Sequence, residues 1–465
     1  MGRHVPSQTG SETLAYTIEL DAALTRIDVQ VCPRGFRIER LNAPGPGARE
    51  LLEAGRVITP VGDLPCAEEG VDLPRLEVDE CLRYRVLVPE QSPDASGLRR
   101  VGGDLLASPD LWLWIPTPRP LGLTLTAHFS LPEGVTPVVP WPGKGADFTL
   151  PESAFTWKSS GAFSHLPSVS LEVAGSKLAV SVLGAGFGAH QAEVYDWLSE
   201  GARSANLLFG RFPVPQSSVI VVPSERSGPG FGMALRGGGP SVLIFLDRHA
   251  RAQTLRTDWT STHEFLHLGV PRLPPEDAWL FEGLATYYTE VTRARAGIIS
   301  PRAAYQHLLD GFQRGRQDRG SLTLRDESAQ MRERRSFYRV YWAGAALAFL
   351  TDVESRRAGG PNLELALQRF AQCCASSEQD WNAERVLAQL DASLGAPRFT
   401  AQAQAWLDRR DFPAVEPTLR ALGVASGRGG EAVFGRGSAA PIRDQIMAAT
   451  TASPAEAHGK PQGAK

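Results

Sequence analysis

Residues 257–269 read TDWTSTHEFLHLG, with His263 and His267 four residues apart and Glu264 directly after the first. On a helix this spacing puts both imidazoles on one face, a turn apart, where they can reach a single cation. Glu264 then lies beside a water held by that cation and can take its proton as the water attacks a carbonyl. Fourteen residues separate His267 from Glu282, which stands in the apolar and aromatic run WLFEGLATYY. A carboxylate in such a run is costly to bury uncompensated, and a cation compensates it. Two imidazoles plus one carboxylate from a second helix make a three-ligand site for one Zn2+ per chain, with a fourth position open to water. The competing reading is a chance match: two surface histidines and a satisfied core glutamate. The surroundings of the motif favour the metal.

These residues resemble the gluzincin zinc metallopeptidases. HEFLHLGVPRLPP followed by WLFEGLATYYTEV is most similar to the glycyl aminopeptidase-like branch and, more distantly, to the aminopeptidase N group. The resemblance implies a W-x-x-E-G helix that supplies Glu282 as third zinc ligand, with Glu264 activating the zinc-bound water for peptide-bond hydrolysis. The connection between the two helices is shorter than in aminopeptidase N relatives, which implies a trimmed connecting loop and an outer wall of the cleft that differs from theirs. Tyr341-Trp342-Ala343-Gly344 is similar to the family's Y-x-K-G helix, implying that Tyr341 donates a hydrogen bond to the tetrahedral oxyanion. An ordinary core aromatic is the alternative for Tyr341. Ala343 replaces the family lysine, with Tyr338 one turn earlier as a candidate substitute. AQAQAWLDRRDFPAVEPTLRALGV resembles the end of that branch's helical domain, and the remaining residues are too few and too polar for the PDZ domain that often follows it.

The similarity breaks in GPGFGMALRGGG, where the family carries a Gly-x-x-Glu-type segment whose glutamate grips the substrate's free α-amine. Aligned on Gly232 and Arg236, that glutamate becomes Ala234. A protonated amine in a dry cleft needs an anion, so Gly232 and Ala234 are read as substrate-binding positions without the amine anchor. Glu225 is the nearest other carboxylate in sequence. The glycines either let a substrate backbone approach the adjacent strand or form a plain hairpin loop. They are not a phosphate loop, because a strand follows and no Lys-Ser/Thr pair closes the motif. Glu290, eight residues after Glu282, is either an acceptor for a ligand imidazole N–H or an exposed helix carboxylate. His128, His165, His190, His249 and His307 lack ligand-like spacing and read as surface or locally satisfied groups. Cys373-Cys374 reads as packing in an amphipathic helix, adjacent cysteines being poorly placed to bridge.

The elements that must hold these residues follow from periodicity. Residues 14–180 contain short alternating segments separated by Pro, Gly and Asp, the pattern of a β-sandwich. Residues 181–300 mix a helix, two strands and the two motif helices, which the resemblance implies is a thermolysin-like catalytic domain. Residues 301–425 read as a helical domain, and 426–465, rich in Gly, Ala, Ser and Pro, as a disordered tail. Residues 1–13 read as loose. The fold class expected is multidomain α+β: an N-terminal β-sandwich, a thermolysin-like catalytic domain and a C-terminal helical domain.

Composition sets the outer limits. The 465 residues carry 48 Lys and Arg against 51 Asp and Glu, a net charge of −3, which argues against a generally basic nucleic-acid binder. Five cysteines are too few and too scattered for a disulfide scaffold or a cysteine zinc site. No apolar run approaches a membrane span, and the first twenty residues hold no signal-peptide core. The expected location is cytoplasmic, or periplasmic or secreted if the start is mis-called. The expected partner is a peptide or protein substrate, with no nucleic acid and no membrane, and the oligomeric state stays open. A non-peptidase zinc hydrolase and a non-catalytic metal-binding scaffold are the alternatives, and an intact Glu264 argues against the scaffold.

Overall fold

The computed structural model describes residues 12–90, 96–166, 168–184, 187–318 and 322–448. Strand formation in the N-terminal part follows the alternation. Along Thr124–Ser130 the inward residues are Leu125, Ala127 and Phe129, and along Arg26–Arg34 they are Ile27, Val29, Val31 and Pro33. Among the described residues, eight strands form one sheet in the order Gly143–Lys144, Asp147–Thr149, Thr124–Ser130, Thr13–Leu20, Arg26–Arg34, Leu82–Leu87, Arg56–Thr59, Gly62–Pro65. Thr13–Leu20 and Thr124–Ser130 run parallel, and the other pairs antiparallel. Two smaller sheets of three and four strands join the large one around a core that includes Trp112, Trp114, Trp141 and Phe129.

The hairpin Val169–Val173 and Ser176–Val182, expected as the end of the β-rich part, belongs to a different sheet. Ser176–Val182 runs parallel to Gln216–Ser224, which runs parallel to Ser241–Asp247. Phe231–Leu235 closes the edge antiparallel to Ser241–Asp247, so the segment expected as a loop contains a strand. Ser217 to Val222 are all buried, because both faces of this sheet are covered. Ile220, Val222 and Leu243 cluster with Val101, Leu106 and Ala162 of the N-terminal part, while Val219, Val221 and Ile244 cluster with the helices.

The helices after this sheet share one core. Apolar side chains from Val173 to Met447 form a single cluster with no break near residue 300. Residues from 426 onward, expected as a tail, are folded as far as the description reaches. Strands Val424–Ser426 and Ala432–Phe434 pair, and helix Ala440–Met447 buries Ile446 and Met447. Arg295 donates to the Ile446 carbonyl at 2.9 Å and Tyr305 to that of Arg443 at 3.1 Å, so a segment poor in apolar residues is held by polar anchors. The tail expectation for 449–465 and the loose start over 1–11 lie outside the described residues.

The cysteine expectations also need correction. Cys32 bridges Cys81, because pairing of Val31 with Leu82 sets the two cysteines across neighbouring strands. Cys373 and Cys374 bridge each other at the C-terminal end of helix Leu363–Cys374. Cys66 is free and buried. Among the described residues no helix is long and apolar enough to cross a membrane.

Candidate active site and metal centre

His263, Glu264 and His267 lie on helix Thr260–His267, buried along its whole length beneath the mixed sheet's edge. Both ends of this helix are tied down. The Asp258 carboxylate accepts from the backbone N–H of Thr260 and of Gly230, both at 2.7 Å, joining the helix start to the edge strand. At the other end the buried guanidinium of Arg236 donates to the carbonyls of His267 (2.9 Å) and Val270 (2.7 Å). A cation at this helix end complements the free carbonyls there, and burial lowers the Arg236 pKa to about 10. Sequence reasoning used Arg236 only as an alignment anchor and passed over Asp258. An Asp two residues before a helix start was the available signal.

Glu282 comes from helix Ala278–Arg295 and Tyr341 from helix Phe337–Arg357. The two helices meet through glycines. A Cβ on Gly283 would lie 2.4 Å from the Gly344 carbonyl carbon, and one on Gly344 would lie 1.8 Å from the Trp279 oxygen. The glycines after Glu282 and after Tyr341-Trp342-Ala343 therefore permit the approach that carries Tyr341 to the Glu282 carboxylate. Ala343 is fully buried in this packing.

The three candidate ligands form a near-equilateral triangle. His263 Nε2 lies 3.2 Å from His267 Nε2, and each lies 3.3 Å from Glu282 Oε2. Zinc–ligand bonds of about 2.0–2.1 Å in a tetrahedron imply donor separations of about 3.3 Å, so this donor set fits a single zinc ion. The tautomer agrees. Thr289 Oγ1 donates to the Ala285 carbonyl at 2.7 Å and lies 3.4 Å from His263 Nδ1, so it can accept from Nδ1–H and leave Nε2 with its lone pair. The Phe281 ring lies flat on His267 at 4.0 Å, and Trp259 stands edge-on to His263 at 5.2 Å, which restrict the planes of both imidazoles.

Burial and charge divide the titratable groups. In the metal-free site burial alone would raise Glu282, but the His267 charge and hydrogen bonds from both imidazoles hold it well below the usual carboxylate range. Burial lowers the pKa of His267. For His263 burial is outweighed by Glu282, Glu264 and Glu290, and its pKa is raised. Burial pushes Glu264 up to about 8 against the attraction of His263. The Ala234 backbone lies beside the Glu264 carboxylate, whose methylene packs on Gly232, where a Cβ would lie 2.3 Å from Cγ. Gly232 and Ala234 thus sit on the edge strand against Glu264.

The remaining candidates separate clearly. The Tyr341 ring is parallel to that of His263 at 6.2 Å, and its phenol lies near the Glu282 carboxylate. Burial, then Glu282 and Glu264, raise its pKa, so it stays a protonated donor. Tyr338 is 59% exposed. Glu290 faces His307 at 2.7 Å and Arg293 at 3.6 Å, and Thr289 rather than Glu290 lies beside the His263 Nδ1. One residue of helical rotation decides this difference. Glu225 is exposed and paired with Arg248.

Neither a protein-family model nor a curated protein matches the chain. Solved structures do. An aminopeptidase N family protein from Idiomarina loihiensis superposes with a TM-score of 0.71 at 15% identity, over 88% of this chain and 78% of that one. An M1 zinc metallopeptidase from Deinococcus radiodurans gives a TM-score of 0.51 at 16% identity, over 87% and 94%. A mutant of the Deinococcus radiodurans M1 enzyme bound to a Tyr-Ser-Ala substrate gives 0.52 at 15% identity, over 87% and 94%. At these identities the likeness establishes the fold, a multidomain mixed α/β architecture shared with zinc metallopeptidases of the M1 group.

Proposed function

We propose that the chain is a zinc metallopeptidase of the gluzincin type, close to the glycyl aminopeptidase-like branch. The observation that carries this reading is the triangle of His263, His267 and Glu282 with Glu264 and Tyr341 beside it. Those three side chains would hold the ion. When bound, zinc supplies a Lewis acid that polarises a carbonyl and acidifies water. Glu264, its pKa raised into the neutral range by burial, accepts the proton of the attacking water and returns it to the leaving amine. Tyr341, protonated throughout, donates to the carbonyl oxygen as negative charge develops on it.

The edge strand adds a restriction. With Ala234 in place of an acid and Glu225 engaged by Arg248, a free substrate amine lacks the anion that the resemblance expects at that position. A buried ammonium without a partner is strongly disfavoured. N-blocked peptides are therefore cut at least as well as free ones. The Cys32–Cys81 bridge favours an oxidising compartment, hence the exported alternative over the cytoplasm. A non-catalytic scaffold has no use for a buried acid such as Glu264, whose ionisation is opposed by its surroundings.

The test is zinc content and peptide hydrolysis measured together. Wild type should hold about one zinc per chain and cleave peptides. His263→Ala should lose the metal, and Glu264→Gln should keep it while losing about 10²–10⁴ in rate. Full zinc occupancy in His263→Ala, or wild-type turnover in Glu264→Gln, overturns the reading.

A further inference from the structure

The two histidines of the site are supported differently on their far sides. His263 Nδ1 has the Thr289 hydroxyl beside it. His267 turns Nε2 to Glu282, and its Nδ1 is buried without a hydrogen-bond partner. When Nε2 is the lone-pair donor, the neutral imidazole carries its proton on Nδ1, and that N–H needs an acceptor. A second unpartnered polar atom lies in the same region. Tyr288, on the Glu282 helix, is fully buried, and its phenol oxygen has no partner. Its neighbour Tyr287, by contrast, donates to Asp352 at 2.9 Å.

His267 and Tyr288 line one small cavity, of about 10 Å³, otherwise walled by apolar side chains such as Leu266, Leu284 and Leu367. That volume is about what one water needs, and a buried water requires at least two polar partners. His267 and Tyr288 both line it, and each carries an unpartnered group that is costly to leave unpaired inside a protein.

We propose that Tyr288, acting through one buried water in this cavity, is the positioning partner of His267. The water accepts from His267 Nδ1–H and exchanges a hydrogen bond with the Tyr288 phenol. It thereby fixes the imidazole tautomer and strengthens Nε2 as a ligand. This role rests on the metal-centre reading above, and it gives each histidine a polar support from the helix that supplies Glu282: Thr289 directly for His263, Tyr288 by water for His267.

The test uses the full chain and zinc alone as ligand. In chelator competition, Tyr288→Phe should bind zinc about 10–100-fold more weakly than wild type, the usual cost of losing an outer partner of a metal-bound histidine. Tyr287→Phe, which removes a hydroxyl bonded elsewhere, should match wild type. Nitrogen NMR of the wild type should show a protonated, slowly exchanging His267 Nδ1 in magnetisation contact with water. This measurement needs no variant to fold. Equal zinc affinity in Tyr288→Phe and wild type overturns the role, as does equal weakening in both tyrosine variants or a His267 Nδ1 with no water contact. A wild type that takes up no zinc overturns the metal-centre reading itself, and this role with it.

Discussion

Gly232→Ala isolates the contact between the edge strand and the candidate general base. The backbone at Gly232 needs no left-handed conformation, so an alanine there is objectionable only for its methyl group. That carbon would stand 2.3 Å from Glu264 Cγ, 2.7 Å from Cδ and 2.8 Å from Oε1. Carbon atoms rest at about 3.5–4.0 Å, so strand or side chain must yield by about an ångström. The strand is the stiffer partner. Ladder pairing to Ser241–Asp247 and the Gly230 bonds to Asp258 and Thr260 hold it on both sides. Glu264 moves instead. A displacement of about 1 Å at a catalytic group costs about 10²-fold in rate, and overpacking costs about 1–3 kcal/mol in stability. Zinc content should be unchanged, because the three atoms nearest a Cβ at Gly232 all belong to Glu264 and none to a ligand. Gly230→Ala is the control, since its Cβ meets nothing closer than 3.2 Å. The assay is kcat on an acetylated peptide, with metal analysis and a thermal melt on the same samples. A Gly232→Ala protein with wild-type kcat would refute the idea that this contact sets the position of Glu264.

Tyr341→Phe should keep zinc and KM but lower kcat by about 10²–10³, the scale of one lost oxyanion donor; an unchanged kcat would move the role elsewhere. In the metal-free protein, Glu264 is raised from 4.5 to about 8, so its neutral form stabilises the fold below pH 4.5 and that contribution is lost as pH climbs to about 8. The loss is on the order of 5 kcal/mol. Glu264→Gln should therefore melt higher than wild type at pH 8 but not at pH 5 when both are stripped of metal, and identical melts at both pH values would refute it. For matched acetylated and free peptides, wild-type kcat/KM should not favour the free amine. Ala234→Glu should shift the ratio toward it, and a strong wild-type preference for free amines would show that another acid serves as anchor.

What was legible in the sequence was local. The four-residue spacing of His263 and His267 carries its own geometry, because a helix places such residues on one face whatever surrounds it. Glu282 was legible for an energetic reason, as an acid in an apolar run that burial would penalise without a cation. Tyr341 required a resemblance to single it out, because nothing in its own segment distinguishes it from other buried aromatics.

Contacts between elements were decided only by the tertiary structure. Strand register sets Cys32 opposite Cys81 and turns an apparent loop into the edge strand that carries Gly232 and Ala234 against Glu264. Helix rotation puts Thr289 rather than Glu290 beside His263. The approach of Gly283 to Gly344 brings Tyr341 to Glu282, and Arg236 reaches from the edge strand to the carbonyls at the end of the His263–His267 helix. Periodicity encodes which face of an element is apolar, but not which other face it meets or at what register. Those follow from packing the whole chain around one core, and they orient the groups whose types and spacing could already be read.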